Sequence, residues 1–359
     1  MSNRSLLDRL QTLSNVDVDD IDNAFIRSLP FKPHNQTSNQ QIVCNAMLAD
    51  TNRQLFTDTV EKYGHQGWEA VFDRVAVQLV KQNLDHITGR VLLQASPRHI
   101  HNKDAIIDHC HRYATYFQEA GVSRDRFAIK IPFTGAAAVA AKTLNSEGIR
   151  TLATAVFGLD QGIAASQSGC LFISPYFNEI AAYFDLSLWP DVSDPALEHP
   201  MSARSIHILE AYTELYRETG KEQPIMVIAS HFNPTEVMAM AELGCQHITV
   251  SRKNLEALMN TPDNLPPVET LKALHPYADL VTPERLKCLS RTDLLAPVGW
   301  DGQLASVSTD YLADGGKMLD RAIQADPIVA KRLDDAMRWF IEAEETAKAA
   351  IEGEIKTRK

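Results

Sequence analysis

Hydrophobic and polar positions alternate with two different periods along this chain. Short apolar runs with strand-like alternation fall at "NVDV" (15–18), "HNQTS" (34–38, the weakest), "RVLLQA" (90–95), "FAIKIP" (127–132), "RTLATAVF" (150–157), "CLFISPY" (170–176), "PIMVIAS" (224–230) and "HITVS" (247–251). Segments with a 3.6-residue period separate most of them, among them "NKDAIIDHCHRYATYFQEAG" and "TGAAAVAAKTLNSEG". Gly121, Gly148, Gly169 and Gly244 each stand just before a strand, where a helix C-terminal turn calls for a left-handed residue. Eight strands alternating with helices predict a parallel (β/α)8 barrel. The rival is an open doubly wound sheet, but no GxGxxG or GxxxxGK[ST] supports a nucleotide-binding version of it.

Beyond residue 260 the pattern changes. "TPDNLPPVETLKALHP" and the surroundings of "LLAPVGWDGQ" are loop-rich. A long amphipathic helix follows, with Val329, Leu333, Met337, Phe340 and Ile341 on one face, predicted to pack on the barrel or on a second subunit. The expected organisation is a barrel core over 1–260 with a short N-terminal helix. Residues 261–359 form a helical extension of the same domain.

The 359 residues suffice for a large core, and the net charge is −11. With no basic run interleaved with aromatics, neither nucleic acid nor an anionic membrane is an expected partner. Five scattered cysteines without CxxC spacing suit a reducing compartment rather than disulfides or a zinc site. No signal-peptide core and no long apolar span occur, so a cytoplasmic protein is expected.

"FAIKIP" carries the chemistry. Ile129 and Ile131 share one strand face, while Ala128 and Lys130 share the other. Lys130 then points into the barrel, where an ammonium is costly unless paired. The bland explanation is an ion pair with Asp17. The functional one is a lysine kept partly neutral by desolvation, able to attack a carbonyl and form an imine. The same parity sends Asp17, Gln94, Thr154, Ser174, Tyr176 and Ser230 inward near the C-terminal ends of their strands, where barrel active sites lie. Taken singly, Thr154 and Ser174 would be satisfied core hydroxyls, Gln94 a loop cap and Asp17 a helix N-cap. "PRHIHNKDAIIDHCHR" invites a metal reading, but His109 and His111 are two apart on a helix and do not share a face. No metal is expected, and contact of His99 or His101 with substrate is the better reading.

The stretch "IKIPFTGAAAVAAKTLNSEGIRTLATAVFGLDQGIAASQSGCLFISPYFNEI" resembles the core of the transaldolase family, nearest its fructose-6-phosphate aldolase branch. Weaker likeness extends to "VDVDDID", "TSNQQIV", "IASHFNP" and "GCQHITV". The resemblance implies Lys130 as the Schiff-base lysine, Asp17 as the acid–base aspartate, Asn39 and Ser174 as ligands of donor hydroxyls, Thr154 as orienting a catalytic water, and Ser230 as lining the channel. Gln94 and Tyr176 match the aldolase branch, where the transaldolases proper carry glutamate and phenylalanine. The implied substrates are a ketose donor and an aldehyde acceptor, with no cofactor. The chain departs from the family at its phosphate ligands. Glu179 stands where an arginine is expected, and "SHFNPTE" lacks the second one. Either the substrate is unphosphorylated, or it carries an amine that meets Glu179, or Arg252 compensates as a phosphate ligand. The rival function is an inactive barrel that binds a metabolite or protein partner. A homo-oligomer is expected.

Overall fold

A computed structural model describes residues 4–266 and 275–358. The "PVETLKAL" part of the loop-rich segment lies outside the described residues.

Eight parallel strands close into a barrel in sequence order: β1 (Asn15–Asp19), β2 (Gln36–Thr37), β3 (Val91–Gln94), β4 (Phe127–Pro132), β5 (Thr151–Val156), β6 (Phe172–Pro175), β7 (Ile225–Ile228) and β8 (His247–Ser251). Each matches a predicted run. The two-residue β2 is the one whose sequence signal is weakest. All four glycines flagged before strands have positive φ: 77° at Gly121, 79° at Gly148, 66° at Gly169 and 91° at Gly244.

Parity divides the core as expected. Leu92, Ala128, Leu152, Phe172 and Val227 form a small cluster inside the barrel. Leu93, Ile129, Ile131, Ala153, Ile173, Met226, Ile228 and Ile248 belong to the large layer between sheet and helices. At the N-terminal end the lumen is closed by polar groups. Asp17 accepts from Asn35 N (2.9 Å), Asn35 Nδ2 (2.9 Å) and His247 Nδ1 (3.0 Å). The other His247 nitrogen faces Asn15 Nδ2 at 3.0 Å. Asp17, His34 and His247 also form the one group of three potential metal-ligand residues found among the described residues.

The extension folds back over the C-terminal end of the barrel. Its last helix, Pro327–Thr357, buries Val329, Leu333, Met337 and Phe340, while Ile341 is half-buried. Asp326 caps that helix and also binds Arg204 of the barrel helix Pro200–Thr219 at 2.7 Å. Buried Arg204 further holds Asp293 (3.0 Å) and the Phe157 carbonyl (2.8 Å). Where "IPFTG" ends, the Gly135 amide donates to Asp320 at 2.7 Å, and a Cβ there would lie 2.0 Å from the Gly316 carbonyl oxygen. Glycine is required at this crossing because two backbones touch. Among the described residues, no helix is long and apolar enough to cross a membrane.

Candidate active site

Lys130 sits inside β4 and is 6% exposed. Its Nζ donates to Thr37 Oγ1 (3.1 Å) and to the Ser38 carbonyl (3.1 Å), and it makes no ion pair among the described residues. Burial depresses its pKa to about 8, and the negative charge of Asp19 opposes that shift.

The partner carboxylate differs from expectation. β1 continues to Asp19, which shares the inward face of Asp17 two residues nearer the mouth. Asp19 therefore lies in the field of Lys130, while Asp17 belongs to the polar plug at the other end. Burial raises Asp19 to about 6, against the pull of Lys130 and with the push of Asp20. Burial would also raise Asp17, but the His247 imidazole and the donors from His247 and Asn35 outweigh it and hold that carboxyl below its ordinary range. No ion pair joins Asp17 to Lys130.

Above the lysine, Thr154 donates to the Tyr176 hydroxyl at 3.2 Å. Ser174 is level with Thr154 across the β5–β6 pair and is buried. Burial drives the Tyr176 phenol well above its usual pKa, so it stays protonated and able to donate. A bulge follows Thr154: Ala155 has φ 54°, and the register shifts between Thr154 and Val156. Buried Gln161 fixes it by donating to the Ala155 carbonyl (3.2 Å) and the Phe133 carbonyl (2.9 Å). Bulges of this kind re-aim side chains beside functional sites. Gln94, one step from Lys130 on β3, donates through Nε2 to Gln40, and its Oε1 is buried without a hydrogen-bond partner. That oxygen is an acceptor in want of a water or a substrate hydroxyl. Gln40 is secured by the carbonyls of Gln94 and Ala95, both at 3.1 Å. Asn39 uses Oδ1 to cap the helix Gln40–Leu48 through Ile42 N (3.0 Å), which leaves its amide nitrogen to donate.

Ser230, two residues after β7, has a left-handed conformation, φ 71°. Its hydroxyl donates to the Asn178 carbonyl at 2.7 Å and lies 3.4 Å from the Tyr183 hydroxyl. Glu179 and Arg252 are both already engaged. Glu179 is paired with Arg332 (3.2 Å) and Lys331 (3.7 Å) from the C-terminal helix. Arg252 binds Asp20 (2.8 Å) and Asp22 (2.9 Å) and lies over the Phe25 ring. A substrate group at either residue would compete with these pairs. His99 lies in a side cluster with His109, Glu69 and Arg98, and His101 is exposed.

The profile of the "Transaldolase/Fructose-6-phosphate aldolase" family matches residues 16–294. The chain belongs to this family. It is thereby an enzyme of the transaldolase, or class I aldolase, type. A "Transaldolase" from Gloeobacter violaceus (strain ATCC 29082 / PCC 7421) is 29% identical over 270 residues, covering 73% of this chain and 67% of that protein. A crystal structure of an IMP dehydrogenase/GMP reductase-like protein from Corynebacterium glutamicum ATCC 13032 Kitasato aligns with TM-score 0.39 and 14% identity, over 66% of this chain and 63% of that one.

Within this transaldolase-family barrel, three groups near the lysine escape a reading of the sequence. Asp19 is hidden by its neighbours in "VDVDDID", although its parity with Asp17 is a usable signal. Gln40 reads as a helix residue. Tyr183 lies beyond the strand in "EIAAYFD", yet Asp19 helps to raise its phenol pKa, after burial, to about 12.

Proposed function

We propose that Lys130 forms a Schiff base with a ketose and that the enzyme cleaves, forms or transfers a dihydroxyacetone-type unit, with an acceptor site unlike the family's usual phosphate site. The observation that carries this reading is the buried, ion-pair-free amine of Lys130 facing a carboxylate whose pKa is raised. Neutral Nζ adds to the ketose carbonyl, and loss of water leaves a protonated imine. The hydroxyl two carbons from the imine carbon gives its proton to Asp19. As the carbon–carbon bond breaks, its electron pair moves into the imine to give an enamine, and an aldehyde departs. In transfer, the enamine carbon attacks a second aldehyde, whose oxygen takes the proton back from Asp19. In cleavage, a water held by Tyr176, Thr154 and Gln94 protonates the enamine carbon and takes its proton back from Asp19, and hydrolysis then frees the ketone and the lysine. Asn39 and Ser174 bind donor hydroxyls.

Borohydride added with dihydroxyacetone or fructose tests the reading. A stable mass increase on Lys130 is expected, and Lys130→Met should lose it. Equal labelling of Lys130→Met overturns the assignment.

A further inference from the structure

The chain that leaves β6 runs through two short 3-10 turns, Ile180–Tyr183 and Leu186–Leu188, before the next helices. Tyr183 stacks on Phe232, with ring centroids 4.5 Å apart and planes 24° from parallel. Phe232 belongs to the loop after β7 and stacks also with Trp189, at 5.2 Å and 23°. Three rings from two loops thus make one continuous aromatic surface. Its outer member, Tyr183, is 47% exposed, so a large ring presents a free area to solvent.

This surface is rigidly built. Glu236 is 1% exposed and accepts from Trp189 Nε1 (2.6 Å), Phe232 N (2.6 Å) and Asn178 Nδ2 (2.8 Å). One desolvated carboxylate therefore fixes both loops, and charge-assisted bonds of this kind are short and strong. The hydroxyl of Tyr183 ties the surface to the loop after β7. The Tyr183 hydroxyl lies 3.4 Å from Ser230 Oγ, and the charges of Asp19 and Glu236 bear on it. The guanidinium of Arg332 already carries a carboxylate partner. Glu179 holds Arg332 through Nη2, and the remaining Nη1 is buried without a partner. A phosphate arriving at the rings would meet π faces and carboxylates, with the Arg332 charge already offset by Glu179.

We propose that Tyr183, Phe232 and Trp189 form the acceptor subsite, and that it takes an uncharged aldehyde bearing an aromatic or apolar group in place of a sugar phosphate, a reading that rests on the Schiff-base chemistry above. The apolar group packs on the rings while the aldehyde carbon points toward the Lys130 enamine. Stacking on a fixed ring surface needs no counter-charge and loses little entropy, because the rings are already ordered.

The test uses the full-length enzyme with dihydroxyacetone as donor and compares phenylacetaldehyde, glyceraldehyde and glyceraldehyde 3-phosphate as acceptors. Phenylacetaldehyde is expected to have a kcat/KM at least tenfold above that of glyceraldehyde 3-phosphate. Phe232→Leu, which keeps an apolar side chain and loses the ring, should raise KM for phenylacetaldehyde about tenfold and lower the kcat/KM preference for phenylacetaldehyde over glyceraldehyde by a similar factor. A preference for glyceraldehyde 3-phosphate that Arg332→Ala abolishes overturns the proposal and places an anion site at Arg332. Equal kinetics of Phe232→Leu and wild type with phenylacetaldehyde also overturn it. Borohydride trapping of dihydroxyacetone without any acceptor keeps the two readings separate: no adduct sinks the Schiff-base chemistry, and an adduct with the wrong acceptor preference sinks only the subsite.

Discussion

With a pKa near 8, about a tenth of the Lys130 amine is neutral at pH 7, against about three molecules in ten thousand for an ordinary lysine. The gain in nucleophile follows from burial, and Asp19 limits it by favouring the ammonium form. Two consequences follow for the rate of imine formation. It should climb with pH through about 8, where Nζ loses its proton. In Asp19→Asn the opposing charge is gone, so the climb should shift to lower pH, read from single-turnover trapping rates at a series of pH values. A shift to higher pH would mean that another group sets the lysine's pKa. The same substitution removes the carboxylate proposed for the acid–base step, so carbon–carbon cleavage should fall by roughly 100- to 10,000-fold although the imine still forms.

At the scale of elements, the C-terminal helix is held to the barrel by groups with ionic requirements. Glu344 on that helix accepts from Ser96 Oγ (2.9 Å) and pairs with Arg98 (3.0 Å). Burial raises its pKa to about 7, with Ser96, His109 and Arg98 opposing the rise. Between the ordinary value of 4.5 and 7 the folded state binds more protons than the unfolded state, so this group withdraws stability as pH rises through that window. Glu344→Gln should remove the loss. Denaturant unfolding from pH 4.5 to 7 should then show a slope shallower by up to about 1.4 kcal/mol per pH unit. The Gly135–Gly316 crossing is a purely steric joint. Gly135→Ala forces a Cβ against a backbone carbonyl, and a loss of about 3 kcal/mol is expected by the same measurement. These joints mark where the sequence stops being readable. Strand positions, inward parity and the glycine turns follow from local periodicity, which is why β3 to β8 and the inward lysine are legible. Glu179 is the opposite case. Its partner Arg332 is 153 residues away, and no local pattern announces that the extension supplies an arginine to neutralise it. β1 is intermediate: period two fixes which aspartates point inward, but only the closed sheet shows how far the strand runs.

The whole molecule separates stability from chemistry along the barrel axis, as barrels of this type commonly do. The N-terminal end holds Asp17 with Asn35 and His247, a closed set of hydrogen bonds between buried groups. The C-terminal end holds Lys130, Asp19 and Tyr176, where acceptors and donors remain open. Asp17 and Asp19 stand on one strand face, two residues apart, and test the division directly. Asp17 is held below its ordinary pKa, so its contribution is present above 3.8 and fades as pH falls through the lower folded value. Asp17→Asn puts an amide donor where three donors already converge, and leaving buried donors unpaired should cost about 3 kcal/mol. Borohydride trapping on Lys130 should persist in that variant at temperatures where it is folded. Asp19→Asn should show the reverse, a melting temperature near that of the wild type with carbon–carbon cleavage largely lost. Thermal melts and trapping run side by side on the two variants check this. Loss of trapping in folded Asp17→Asn would show that the plug shapes the lysine's environment through the lumen, and the two ends of the barrel would then have to be treated as one site.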